Sequence, residues 1–321
     1  VVRNVLPRYR GSDAKVTEAE YENDISHIMS AFRTDSKERR DALLGALRQT
    51  PFVMVSDAGT GQRHTARAGG VYLATDRLKR LFAGIANVQM VDENCACLRG
   101  EDTREMLEAC GAVRHLRPIE NSALSSEERS ALRAQAGHSE TSGQNDRITD
   151  WDLAGLEGVL EALPSLALAE RVEKALLLWE ELALLEERRG KGVFTGEYTW
   201  THYGNYRKSF DAAFVRRLKD TAWVPDAGGT LRCPGLVVFE TLGWKPDPFL
   251  LSKIQFKPPI IDQLAKEAGF EPGVLDLLRL HGLTSVAELA SRLGVSEGTQ
   301  QGGSESGPET VGQAIESLLG D

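Results

Sequence analysis

Cysteine is scarce in this chain, and the little there is carries no pattern. There are 4 cysteines among 321 residues. Cys95 and Cys97 stand two apart, Cys110 and Cys233 stand alone, and there is no CxxC pair or His-x3-His partner. Neither a zinc site nor a disulfide framework is expected, and reduced apolar thiols fit a cytoplasmic setting. No secretory segment appears, and no apolar run approaches the roughly 18 residues of a membrane span. Basic charge is in short supply as well: 38 Lys and Arg stand against 47 Asp and Glu, for a net charge of -9. A general binder of phosphate backbones needs a basic face, so that class is disfavoured, while a local basic patch stays compatible. No G-x-S-x-G or Walker A run occurs. His64, His115, His138, His202 and His281 lack metal-ligand spacing. No catalytic residue, metal site or cofactor is therefore expected, and the chain does not read as an enzyme.

What is present is ordinary soluble composition, 41% hydrophobic and 26% charged, in a length sufficient for two domains. The chain opens on Val1 with residues that look like a domain interior, so a piece of a longer protein is expected. Thr17 and Glu20 form a capping-box pattern ahead of Tyr21, Ile25, Ile28 and Phe32, which predicts a helix over 17–32. Ser36 caps a second helix. Strand-like "PFVMV" and the turn "SDAGTGQ" follow, then a returning strand and "GGVYL". Short helices are predicted from Asp76, over about 102–110 with Gly111 as the left-handed stop, and over 125–136. Helices over 151–163 and about 167–189 come next. The longer one carries a stripe of Val172, Leu176, Trp179, Leu182 and Leu185, with Glu180, Glu181 and its other charges towards a solvated end. A small aromatic hairpin is read over 193–203, and Ser209 is read as the cap of a helix through Lys219. Helical segments are predicted at 261–268, 274–280 and 286–293.

Two stretches resemble each other. With Thr50 set over Thr221, Leu47 falls on Leu218, Phe52 on Trp223 and Val53 on Val224. Asp57-Ala58-Gly59 then meets Asp226-Ala227-Gly228, and "GGVYL" meets "PGLVV". The shared order of helix, strand, Asp-Ala-Gly turn and strand is read as an internal duplication. Asp57-Ala58-Gly59-Thr60-Gly61 also matches the D-x-G-x-G box of GHKL-type ATPases, but their upstream E-x-x-x-N helix is missing: Ala19 stands four before Asn23. Asp beside Gly suits a tight turn, and that is the reading taken. Asp150 and Asp152 are read as helix-capping carboxylates. Tyr198, Trp200, Tyr203, Tyr206, Arg207 and Lys208 form the candidate interaction surface, able to stack on bases or to present a half-buried sheet. The helices within 277–294 are read as protein-packing rather than DNA-contacting.

"VLPRY" from Val5, "TPFV", "LFAG", "CLRGED", "TAWVPDAGG", "LGWKPDPFL" and "FKPP" together resemble the middle region of large bacterial sacsin-like proteins. The resemblance covers most of residues 1–295. It implies a repeat region following a GHKL-type ATP-binding domain, facing clients or partners in a chaperone-like protein, with antiphage defence among the suspected roles. The ATP-site residues of such a protein would lie outside this chain. The expected fold is α+β and helix-rich: two related helix–β-hairpin–helix repeats plus a helical C-terminal segment. Boundaries are a first repeat over 1–137, a linker over 138–150, a second repeat over 151–270, a helical tail module over 271–295 and a mostly disordered acidic tail over 296–321. Expected partners are neighbouring domains of the parent chain or another protein, with no membrane. A nucleic-acid-binding module of a defence-type ATPase or nuclease is the alternative.

Overall fold

The computed structural model describes residues 1–10, 16–121, 124–135, 137, 146–201, 205–226 and 228–258. Tyr203 and the expectations placed on 259–321 lie outside these residues. The described chain is a mixed fold of nine α-helices and small antiparallel sheets.

Helices α1 (Glu18–Phe32) and α2 (Lys37–Arg48) start where their caps predict. Thr17 Oγ1 accepts from the Glu20 amide at 3.3 Å, and Glu20 Oε2 accepts from the Thr17 amide at 3.0 Å, so two donors at the helix start are satisfied reciprocally. Strand β1 (Val53–Asp57) pairs with β2 (Arg63–Ala66). After α3 (Asp76–Phe82), strand β3 (Gln89–Val91) pairs on the other side of β1, giving the order β2-β1-β3. Helix α4 (Glu101–Ala109) precedes Gly111, whose φ of +112° suits glycine. Strand β4 (Pro118–Glu120), helix α5 (Ser126–Gln135), strand β5 (Asp146–Thr149) and strand β6 (Trp151–Leu153) follow, with β4 paired to β6. Thus 146–149, assigned above to the end of a linker, is strand.

The helix expected over 151–163 begins later, as α6 (Leu156–Ala162). Gly155, at φ +83°, separates it from β6, and a Cβ there would meet Phe82 and Val88 at 2.8 Å. Three residues of alternation are too few to announce a strand whose partner lies some thirty residues upstream. Helix α7 (Leu168–Arg189) matches its predicted extent but is rotated. Val172 is exposed, whereas Lys174 and Glu181 share the buried face with Leu178, Trp179, Leu182 and Leu185. Glu181 therefore does not belong to a solvated end. Strands β7 (Thr195–Thr201) and β8 (Asn205–Asp211) pair residue for residue in the order β5-β7-β8. Within the stretch read as a small hairpin, Thr195–Thr201 is thus a single strand, and its partner is Asn205–Asp211. Ser209 lies within β8 and does not cap a helix: α8 (Ala213–Asp220) starts four residues later. Strands β9 (Val224–Pro225) and β10 (Leu231–Arg232) and helix α9 (Pro248–Ile254) complete the described chain.

Both Asp turns are built alike. Asp57 Oδ1 accepts from the amides of Gly59 (3.1 Å) and Thr60 (2.8 Å), and Asp226 Oδ1 from those of Gly228 (3.0 Å) and Thr230 (2.9 Å). Gly61 (φ +69°) and Gly229 (φ +77°) supply the left-handed positions. Leu47, Phe52 and Val53, like Leu218, Trp223 and Val224, are wholly buried. A 3-10 turn follows each unit, at Ala68–Gly70 and Pro234–Leu236. Then comes a parallel bridge from Tyr72 to Met90 or from Val238 to Lys257.

Two hydrophobic clusters hold the structure. One joins α1, α2, β1 and α4 around Tyr9, Ile28, Phe52 and Met106. The other gathers α6 to α9 around Trp179, Phe214, Trp223 and Phe239, and takes in Tyr72, Leu78, Phe82 and Leu116 from the first half. Lys174 fastens this crossing. Its Nζ donates to the carbonyls of Leu81 and Ala83 at 2.9 Å and of Arg80 at 3.3 Å, where α3 ends and carbonyls lack helical partners. Burial lowers its pKa, with Glu170 and Glu173 acting the other way. Replacing Lys174 by Met keeps most of the stem and strands these carbonyls. A loss of about 3 kcal/mol is expected in urea denaturation, and an unchanged midpoint would contradict the role.

Candidate interaction surface

The β7–β8 ribbon sorts the aromatic residues by strand alternation. Directly paired residues share a face, so the pairs Tyr198–Lys208 and Trp200–Tyr206 lie on one side and Thr199–Arg207 on the other. Tyr198 and Trp200 have ring centroids 5.1 Å apart at 28°, and Trp200 and Tyr206 5.2 Å apart at 14°. The ladder grades from core to solvent: Tyr198 is buried, Trp200 half-buried and Tyr206 48% exposed. Lys208 is exposed beside it. Arg207 is exposed on the opposite face, where it pairs with Glu197. The structure thus brings Tyr198, Trp200, Tyr206 and Lys208 together and sets Arg207 apart.

The ribbon is tied to the fold at its base. Tyr198 Oη donates to Asp146 Oδ2 at 3.1 Å, and Arg133 of α5 pairs with the same carboxylate. Gly196 faces Phe210 so closely that a Cβ would lie 2.2 Å from the ring. The Arg216 guanidinium sits 5.5 Å from the Phe210 centroid on the way into α8. Asp150 has no exposed surface and accepts four hydrogen bonds: from the Trp151 amide (2.9 Å), the Ala213 amide (2.8 Å), Asn121 Nδ2 (3.1 Å) and Arg216 (2.9 Å). The helix start expected at 151 is strand β6, so Asp150 does not cap it; its carboxylate instead accepts from the first amide of α8, across 63 residues of chain. Asp152 pairs with Arg217 of the same helix at 3.0 Å.

Other polar clusters were invisible to sequence reasoning because their members are far apart in the chain. Glu181 Oε2 lies 3.3 Å from His115 Nδ1, and Glu181 Oε1 lies 3.3 Å from Arg77 Nε. Asp24, on the inner face of α1, accepts from Tyr9 Oη at 3.0 Å and Arg8 at 3.2 Å. The cysteines are free thiols. Burial pushes Cys97 up to about 11 and Cys110 up to about 12, which keeps them protonated and poor as nucleophiles. Among the described residues, no group of three or more His, Cys, Asp and Glu is placed to hold a metal, and no helix is long and apolar enough to cross a membrane.

Asp211 closes β8 and links it to two helices, pairing with Lys219 of α8 and, at 2.6 Å, with Lys253 of α9. Burial alone would raise its pKa, but hydrogen bonds and charge from Lys219 and Lys253 outweigh it, and the carboxyl lies below its usual range. A depressed carboxylate stabilises the fold above the unfolded value, about 3.9, and that contribution is lost as pH falls through the folded value. Asp211→Asn should therefore be less stable than the parent at pH 7 in urea denaturation, with the gap closing below about pH 4. A gap that persists in acid would contradict the assignment. Comparison with protein families, with curated proteins and with solved structures finds no match to this chain.

Proposed function

We propose that this chain is a non-catalytic interaction module that meets a protein partner through the β7–β8 ribbon. One observation carries the reading: β8 is the edge of its sheet, and it presents Tyr206, Arg207, Lys208 and Ser209 to solvent on a well-anchored base. An exposed edge strand leaves backbone donors and acceptors open to another chain, and clustered aromatic and basic side chains are frequent anchors of interfaces. We read the partner as a neighbouring domain of a large ATP-dependent, sacsin-like and chaperone-like parent, in a cytoplasmic setting and with antiphage defence as a candidate context. The sequence resemblance is what supports that setting. The two Asp turns, with their matching buried Leu-aromatic-Val triplets, support descent from one duplicated unit.

A nucleic-acid role is the second reading, favoured by the near-parallel Trp200–Tyr206 stack with Lys208 on its face. Stacking of a base on such a ring contributes about 1–3 kcal/mol. Calorimetric titration of the chain with the remainder of its parent protein separates the two. The protein reading expects saturable binding that weakens about tenfold or more in Tyr206→Ala, whose side chain is exposed enough to be removed without unfolding. Unchanged affinity in that variant would contradict it. Saturable, Tyr206-dependent binding of single-stranded DNA at low salt, without binding to the parent protein, would establish the second reading instead. ATP turnover by the isolated chain would overturn both.

A further inference from the structure

A groove of about 630 Å³ opens between the first sheet and the ends of α2 and α4, far in the chain from the aromatic ribbon. Arg48, His64, Thr65 and Arg67 line it, with Gly69 and Gly70 on one wall, and no Asp or Glu contributes to the lining. In a chain with a net charge of -9, a concave surface with three basic side chains and no carboxylate stands out. Arg67 is exposed, and its guanidinium engages no hydrogen bond or ion pair among the described residues. Arg48 gives one Nη to the Ala109 carbonyl at 2.8 Å, which fixes its guanidinium at the end of α4. Most ion pairs of this protein are made elsewhere: Arg63, at the neighbouring rung of β2, is held by Asp92.

The glycine wall adds a second, independent feature. A Cβ at Gly69 or Gly70 would meet nothing within 4 Å, so both backbone units are reachable from the groove. Behind them the structure is tight, since a Cβ on Gly111 would come within 3.2 Å of Gly69 Cα. Arg117 donates from Nη1 to the Gly69 carbonyl at 2.9 Å, and its Nε is a buried donor without a partner. A third guanidinium is thereby held one hydrogen bond from the wall.

We propose that this groove binds a phosphate monoester. A carboxylate offers two oxygens and one charge, whereas a monoester dianion offers three oxygens and more charge, which suits a lining that holds two arginines and no carboxylate. The open mouth suits a phosphate carried on a larger body. The ligand's source is either a phosphorylated side chain or a nucleoside monophosphate, since the phosphate chemistry is shared. This inference does not depend on the ribbon.

Calorimetry of the chain at low ionic strength with inorganic phosphate, O-phosphoserine and AMP tests it. Saturable binding of at least one of these is expected, weaker at high salt. Arg67→Ala should reduce it about tenfold or more, Arg67→Lys should restore part, and Tyr206→Ala should leave it unchanged. The Arg67 side chain has no partner among the described residues, so an unaltered thermal midpoint in Arg67→Ala shows that a loss is not unfolding. The tighter of O-phosphoserine and AMP names the source. No saturable binding of any probe, or full binding in Arg67→Ala, overturns the proposal.

Discussion

The structure leans on a charged side chain set into the apolar face of its longest helix. Lys174 reaches the carbonyls left at the end of α3, and Glu181, two turns further on, meets Arg77 and His115. These contacts make α7 the shared wall of the second hydrophobic cluster and of elements from the first half of the chain. A buried ammonium is tolerated where carbonyls replace its water, and it is intolerant of misplacement for the same reason. Such a tie fixes the relative position of two stretches more narrowly than apolar packing alone. Residues of α8 and α9 pack with α7 in that same cluster.

Local information was legible and long-range information was not. Thr17, Glu20 and Ser36 announced their helices because a cap is settled within four residues, and the Asp turns were legible for the same reason. Strand β6 was missed, since its three residues acquire meaning from β4. The α7 stripe was rotated because counting apolar residues favours Val172 over Lys174, and nothing nearby says that carbonyls await the lysine. Ser209 looked like a cap because Asp150, which performs that role, is 63 residues distant. Each miss is a strand or polar side chain whose partner lies elsewhere in the chain.

The same division holds for the surfaces. Alternation of aromatic residues along 198–206 pointed to the ribbon, and the structure adds which face each side chain occupies and how exposure rises from Tyr198 to Tyr206. The groove had no counterpart in the sequence reading, because Arg48, His64 and Arg67 belong to different elements and net acidity hides a local excess of cations. An acidic chain with one basic groove and one aromatic edge offers distinct chemistry at two separate places.

Hydrogen exchange read along the chain, with and without the remainder of the proposed parent protein, tests the interaction account most directly. Slowed exchange concentrated in residues 205–211, with the hydrophobic clusters unaltered, is the predicted outcome. Association that leaves those amides exchanging at their free rate, or protects other elements instead, would contradict it.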